Sequence, residues 1–159
     1  MLSLKELEKM TELHDVTVKT IECNDLRNSL LSEKLKLMEA YENAKKAVER
    51  QSSRIDDELI PVTKKRILEE SPDKKYTVET LKDLVKADPE VQSAIKHLGL
   101  LTDSVTELRI RKEGISLQLD GLDETIKMLE SIGRNEGLRK KIKYGLTKVV
   151  VEEQLGERN

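Results

Sequence analysis

The side chains in this sequence that are best suited to bind a ligand are basic, and they occur in clusters. Lys46, Arg50 and Arg54 are spaced four apart, so in a helix they share one face. Neighbouring basic residues extend this set, which comprises Lys45, Lys46, Arg50, Arg54, Lys64, Lys65 and Arg66. A further cluster near the C-terminus comprises Arg139, Lys140, Lys141 and Lys143. Such clusters predict phosphate contacts with a nucleic acid, and the alternative is that they form solvated helix faces.

Aromatic side chains that could stack on bases are scarce in this chain. The sequence has no Phe or Trp, and its three tyrosines are Tyr41, Tyr76 and Tyr144. Base stacking on aromatic rings is a main source of affinity for single strands. We therefore expect any nucleic-acid binding to be mostly electrostatic and to discriminate little between sequences.

No constellation of catalytic or metal-binding residues is evident. The two histidines, His14 and His97, lie on different segments. The acidic run Asp56-Asp57-Glu58 has no nucleophile or basic metal-site partner, and it is interpreted as a solvated helix end. Cys23 is alone, which favours a small buried apolar residue over a nucleophile. The glycines form no phosphate-binding loop. The sequence therefore predicts a protein that is not an enzyme and holds no cofactor or metal.

The composition predicts a single all-α domain of ordinary size. Of the 159 residues, 38% are charged and 36% apolar, which is typical of long helices rather than of a globule filled by large aromatics. One cysteine allows no internal disulfide and fits a reducing compartment. No apolar run reaches the roughly 20 residues that span a bilayer, and the N-terminus lacks the plan of a signal peptide. We expect a soluble, intracellular protein without membrane contact.

The first half of the chain predicts one short and one long helix. The spacing of apolar residues predicts a helix over 3–13, and the β-branched run from Asp15 to Cys23 predicts an extended connector. Asn24 or Asp25 would then cap a long helix that ends before Pro61. Its apolar stripe comprises Leu30, Lys34, Leu37, Tyr41, Ala44, Val48, Gln51 and Ile55, widened by Leu31, Leu35 and Met38.

A linker and a short helix should follow. Residues 61–76 contain two prolines and read as a linker with one helical turn at most. Thr77 can cap a short helix that buries Val78, Leu81 and either Leu84 or Val85.

The segment Lys86–Leu98 predicts the start of a second long helix. Pro89 suits the first helical position, Asp88 can accept bonds from the first turn, and Glu90 places negative charge at the positive end of the helix dipole. From Val91 onwards the apolar residues follow a heptad. Position a comprises Val91, Leu98, Val105, Lys112, Leu119 and Ile126, and position d comprises Ala94, Leu101, Leu108, Ile115, Leu122 and Leu129. The pattern predicts a coiled-coil-like seam to about Ser131.

Three features of this second helix allow more than one interpretation. Lys112 at an a position either sets register and copy number or extends its charge out of an imperfect bundle seam. Gly99, Gly114 and Gly121 fall off the seam, where they permit bending or close approach of another chain, or are simply tolerated. His97, at a g position, reads as a polar rim residue.

The chain divides at Gly133 in this scheme. Residues 1–133 form a helical, oligomerising domain, and residues 134–159 form a basic C-terminal extension. Between 134 and 148 there are six basic residues and one acidic residue. The fold class is therefore all-α, with two long amphipathic helices, short connecting helices and a helical-bundle or coiled-coil-like oligomer.

The order of these features resembles the UvsY family of phage recombination mediators. LKELEKM resembles the family's leading helix, Asp15–Val18 its extended link, Asn43–Gln51 the basic part of its first long helix, and Leu84–Val91 the start of its second. The resemblance covers roughly residues 4–130. It implies a non-enzymatic homo-oligomer that binds single-stranded DNA, rearranges the single-strand-binding protein and helps to load a RecA-like recombinase. The location would be the cytoplasm of the bacterial host.

The sequence departs from that family where DNA contact is expected. The region ERQSSRIDDELIP keeps Arg50 and Arg54 but lacks the paired tyrosines and glycines, and it turns acidic at Asp56. The basic segment after Gly133 has no clear counterpart. An alternative is therefore a coiled-coil structural or adaptor protein without a DNA role, such as a phage virion component or a prefoldin-like chaperone. The linker 61–76 is a poor candidate for the hairpin that a prefoldin needs.

Overall fold

The protein is almost entirely helical in the part of the chain that the computed structural model describes. That part comprises the backbone of residues 13–156 and the side chains of residues 15–135, and it contains no strand. Four helices follow one another, and a π-helical turn joins the first two. They are α1 (Leu13–Ser53), the π turn (Arg54–Leu59), α2 (Ile60–Glu70), α3 (Val78–Ala87) and α4 (Pro89–Gly156). The prediction of an all-α chain with two long helices is confirmed.

Helix α1 begins earlier than the sequence predicts. The extended connector predicted over Asp15–Cys23 is wrong, because these residues are helical, and neither Asn24 nor Asp25 caps a helix start. A β-branched residue destabilises a helix by only a few tenths of a kcal/mol relative to alanine, and one good tertiary contact stabilises it by about as much. Val16 supplies such a contact, since it is buried against Leu129. The helix predicted over 3–13 lies almost entirely outside the described residues.

Pro61 does not end the first long helix. The prediction that residues 61–76 form a linker is wrong for 61–70, which belong to α2. In an α-helix the proline ring would collide with the carbonyl group four residues earlier. Here the π turn moves the bonding register by one residue, and the Ile60 N–H donates to the carbonyl of Ile55. Pro61 then falls in the first turn of α2, where its missing N–H is tolerated.

The loop after Ser71 leads into α3 through a side-chain cap. Thr77 has extended backbone angles and its hydroxyl accepts from the N–H of Thr80 at 3.1 Å, as predicted. Leu81 and Val85 are buried, but Val78 is 72% exposed, so the prediction that the helix buries Val78 is wrong.

Helix α4 begins where the sequence predicts and continues further. Asp88 Oδ1 accepts from the N–H groups of Glu90 at 3.0 Å and Val91 at 3.4 Å, and Pro89 is the first helical residue. The helix does not end near Ser131, because its backbone runs to Gly156 and passes through Gly133 without a break. The division into domains at Gly133 stays a prediction.

The chain forms two compact units, each with its own apolar cluster. The described part of the first unit comprises residues 13–34 and 114–156, and the second unit comprises residues 35–113. In the first unit Val16 and Leu129 form a cluster that Cys23 and Ile132 extend. In the second unit the cluster comprises Leu59, Val85 and Val91, with Ile60, Ile67 and Ala94 packed against it. Cys23 is thus half-buried beside apolar neighbours, as expected for a packing residue.

Candidate nucleic-acid interface and helix seam

The heptad seam of α4 is the least exposed face of that helix. Six of its twelve positions are buried, namely Val91, Ile115, Leu119, Leu122, Ile126 and Leu129. The other six are half-buried, namely Ala94, Leu98, Leu101, Val105, Leu108 and Lys112. Apolar residues off the seam remain accessible, and Ile110 and Leu117 are 60% and 71% exposed. The heptad therefore identified the packed face.

Helix α1 of the same chain covers part of this seam in each unit. In the second unit the Gln51 side-chain amide donates to the carbonyl of Ala94 at 3.1 Å. In the first unit Val16 packs on Leu129, and Arg27 Nε lies 2.6 Å from Asp123 Oδ1. The eight residues of the predicted α1 stripe, together with Leu31, are buried or half-buried. The prediction that Leu35 and Met38 widen the stripe is wrong, because both are exposed. Burial of the seam thus does not by itself require a second copy, and the homo-oligomer stays a prediction.

Lys112, the polar residue on the seam, is held by an aromatic side chain. Its Nζ lies 4.5 Å from the ring centroid of Tyr41, which is itself on the α1 stripe. A cation above an aromatic face is stabilised by the ring quadrupole, by about 0.5–2 kcal/mol depending on exposure. The lysine is half-buried. The Tyr41 ring is therefore an intramolecular partner for this charge. This contact gives a third explanation for a lysine on the seam, beside the two considered from the sequence.

Lys46, Arg50 and Arg54 share a face, as their spacing predicts. They line one shallow groove on the outer side of α1 and the π turn. The same groove is also lined by Glu49, Ser53, Asp57 and Glu58. Three cations thus share the groove with three carboxylates, and the acidic run predicted to be a solvated helix end contributes two of these, Asp57 and Glu58. The potential over the groove is weaker than the row of cations alone would create.

Lys45 does not line this groove, although it is exposed and Glu49 lines both this groove and the hollow beside Lys45. It lines a small hollow with Val48, Thr102 and Val105, and its Nζ is 5.6 Å from the Tyr41 ring centroid. Tyr41 is therefore flanked by two lysines and half-buried, which restricts its use as a platform for a base. Tyr76 is also half-buried, and the side chain of Tyr144 lies outside the described residues.

The structure distributes the three predicted basic residues of α2 among different surroundings. Arg66 forms an ion pair with Asp88, the cap of α4. Lys65 Nζ lies 3.8 Å from Glu69 Oε1 one turn along. Lys64 lines a groove between α2 and α3. Of these three residues, Arg66 has the clearest structural role, because the side chain of its partner Asp88 is only 11% exposed.

The C-terminal basic cluster lies on the helical backbone of α4, but its side chains are outside the described residues. Contact of Arg139, Lys140, Lys141 and Lys143 with DNA therefore stays a prediction. Across residues 15–135, whose side chains are described, no group of three metal-ligating side chains occurs. His97 is exposed, in keeping with a rim residue.

Two cross-helix contacts were missed by reasoning from the sequence. The ion pairs of Arg27 with Asp123 and of Arg66 with Asp88 join residues 96 and 22 positions apart. Periodicity places each of these residues on a helix face but does not specify the partner. The sequence hinted at an ion pair only for Asp88. A carboxylate that caps a helix with one oxygen leaves its second oxygen free to pair with a cation.

Comparison with known proteins adds no constraint on function. No family model, curated protein or solved structure matches this chain. The resemblance to the UvsY family therefore rests on the residues quoted above alone, and the match of Asp15–Val18 to an extended link is lost because these residues are helical. Among the described residues, no helix combines the length and apolar character needed to cross a bilayer.

Proposed function

We propose that this protein is a non-enzymatic recombination mediator, a homo-oligomer that binds single-stranded DNA and helps to load a RecA-like recombinase in a bacterial cytoplasm. The observation that carries the proposal is the row formed by Lys46, Arg50 and Arg54 on one face of the first long helix. All three residues are exposed, so their charges are accessible to phosphates. The resemblance of the two long helices to the UvsY family supports the same function.

One protomer would bind DNA only weakly, and assembly into an oligomer would raise the affinity. The carboxylates of Glu49, Asp57 and Glu58 offset part of the positive charge in each groove. Linked copies convert several weak contacts into one avid contact, because the second and later contacts become intramolecular. Each neutralised phosphate releases counterions, so affinity should fall steeply as salt rises. The oligomer would therefore behave as a polyvalent, sequence-tolerant binder.

Fluorescence anisotropy with a labelled oligonucleotide tests the proposal. The triple variant Lys46→Gln, Arg50→Gln, Arg54→Gln should weaken binding about tenfold or more and flatten its salt dependence. A matched control carries Lys36→Gln, Lys96→Gln and Lys127→Gln, three exposed lysines that do not line the groove. No binding by the unmodified protein at about 50 mM salt would rule the proposal out. Equal losses in both triple variants would assign binding to net charge instead.

A second candidate is a helical structural or adaptor protein without a DNA role. It is favoured by the balance of charges in the groove and by the pairing of Lys65 and Arg66 with carboxylates. In that case the basic row is a solvated face. The adaptor hypothesis predicts no change in oligonucleotide anisotropy, together with the same sedimentation behaviour for the triple variant and the unmodified protein.

A further inference from the structure

The groove between α2 and α3 combines an apolar floor with a basic rim. Ile60, Val78, Leu81 and Val85 contribute the apolar surface, and Lys64, Lys82 and Lys86 surround it. Its volume is ≈ 370 Å³, enough for two or three large side chains rather than for a folded domain. No carboxylate lines it. This surface lies apart from the residues that line the DNA-binding groove proposed above.

The arrangement follows from the periodicity of α3. Val78, Leu81, Lys82, Val85 and Lys86 are spaced as i, i+3, i+4, i+7 and i+8, so they share one face. Glu79 and Asp83 do not line the groove, although Glu79 lies three residues before Lys82 and Asp83 three residues before Lys86. The residues that line the groove are therefore either apolar or positively charged.

Two features of the groove call for an occupant. Val78 is 72% exposed at its edge although it continues the apolar face of Leu81 and Val85. None of the ion pairs in the described part of the chain engages Lys64, Lys82 or Lys86. Apolar area and positive charge therefore remain available together in one place.

We propose that this groove binds an acidic amphipathic segment of a partner protein, with its leucine-like side chains on the apolar floor and its carboxylates against the three lysines. Charge complementarity selects this occupant, since a purely apolar peptide would leave the lysines without partners. Nucleic acid fits less well, because phosphates gain nothing from a floor of Ile60, Leu81 and Val85. The lining positions span about 12 Å of helix, which matches two turns of a bound helix.

Binding is tested with a designed probe and groove variants. The probe is a fluorescein-labelled synthetic helix of about 15 residues, with leucines at i, i+3, i+4 and i+7 and flanking glutamates. The double variant Lys82→Glu, Lys86→Glu should weaken its binding roughly tenfold or more, and added salt should weaken it in the unmodified protein. The control is Lys74→Glu, Lys75→Glu, two exposed lysines of the preceding loop that do not line the groove.

A second pair of variants isolates the apolar part. Val78→Asp should also reduce probe binding, whereas Val62→Asp should leave it unchanged, because Val62 is 66% exposed but does not line the groove. Circular dichroism should show equal helix content in all variants. Neither wild-type side chain is buried, so both substitutions are compatible with folding.

Several outcomes would overturn the proposal. Equal binding of the probe by the groove and control variants would place it elsewhere on the surface. Equal binding of a peptide with glutamines in place of glutamates would remove the role of charge. Displacement of the probe by decanoate at equal molar concentration would indicate a site for free fatty acids. A smaller oligomer for Val78→Asp in sedimentation would indicate that a second copy fills the groove.

Discussion

The two compact units use the same heptad seam but bury it to different degrees. In the first unit Ile115, Leu119, Leu122, Ile126 and Leu129 are 7%, 6%, 4%, 9% and 0% exposed. In the second unit the seam is buried at Val91, but the six following positions from Ala94 to Lys112 are only half-buried. The opposing α1 residues there include Tyr41, flanked by two lysines, and a hollow remains beside Val48 and Val105. A heptad thus predicts which face packs, but the opposing residues decide how tightly.

The largest expected effect comes from the tightly packed unit. Leu129→Ala should destabilise the protein by about 3 kcal/mol, because the side chain is fully buried and its removal leaves a cavity. Leu108→Ala, a half-buried position of the same seam, should cost about 1 kcal/mol. Urea denaturation followed by circular dichroism measures both. If Leu108→Ala costs as much as Leu129→Ala, the second unit is covered in solution by something further, such as another copy.

The cap of α4 should give the next largest effect. Asp88→Ala removes two backbone hydrogen bonds and the ion pair with Arg66, and should cost about 1–2 kcal/mol in the same denaturation assay. Asp83→Ala is the matched control, since this exposed carboxylate caps no helix. Arg66→Gln keeps the cap and should cost less than half as much. An equal loss for Arg66→Gln and Asp88→Ala would mean that the ion pair, not the cap, supplies the stability.

The contact between Tyr41 and Lys112 should be worth less than the cap. A double-mutant cycle with Tyr41→Leu, Lys112→Met and both together should give a coupling energy of about 0.5–1 kcal/mol. Light scattering on Lys112→Met reports the copy number at the same time. If the copy number changes and the coupling energy is zero, Lys112 sets the register at an interface between copies instead of binding Tyr41.

The smallest expected effect is that of the ion pair between Arg27 and Asp123 in the first unit. Both side chains are partly exposed, at 38% and 42%, so solvent screens their attraction. Arg27→Gln should cost roughly 0.5 kcal/mol at low salt and nearly nothing at about 0.5 M salt. Arg109→Gln, whose partner Glu113 lies one turn along the same helix, is the control. A loss that persists at high salt would show that packing of the Arg27 stem matters more than its charge.

Local signals in the sequence predicted the starts of α3 and α4 and the packed faces of the two long helices. Thr77, Asp88 and Pro89 specify helix starts through chemistry that acts within three residues, so neighbours along the chain suffice to predict it. The seam follows from periodicity alone. Positions such as Val16 were mispredicted because their helical state depends on a contact with Leu129, which lies more than 100 residues away.

The candidate site was predictable only in part. The spacing of Lys46, Arg50 and Arg54 correctly placed them in one groove. Asp57 and Glu58 continue the same three- and four-residue spacing, so periodicity could also have placed them in this groove, but the acidic run was predicted to be only a solvated helix end. The pairing of Arg66 with Asp88 depends on the path of the chain between α2 and α4, which no local pattern encodes.

The π turn has a further consequence for the angular phase of the buried surface. Gln51, Ile55, Leu59 and Thr63 are buried and Ile67 is half-buried, a row with a strict period of four. In an uninterrupted α-helix each step of four overshoots a full turn by about 40°, so four steps would carry Ile67 to nearly the opposite side. The wider π turn absorbs much of that overshoot and keeps the row on one side. Forcing the same residues into an uninterrupted α-helix would therefore rotate everything after Leu59 by about 100° and expose the row that α2 now buries. Deleting one residue between Arg54 and Leu59 would instead convert the π turn into an α-helical one and leave the row on one side.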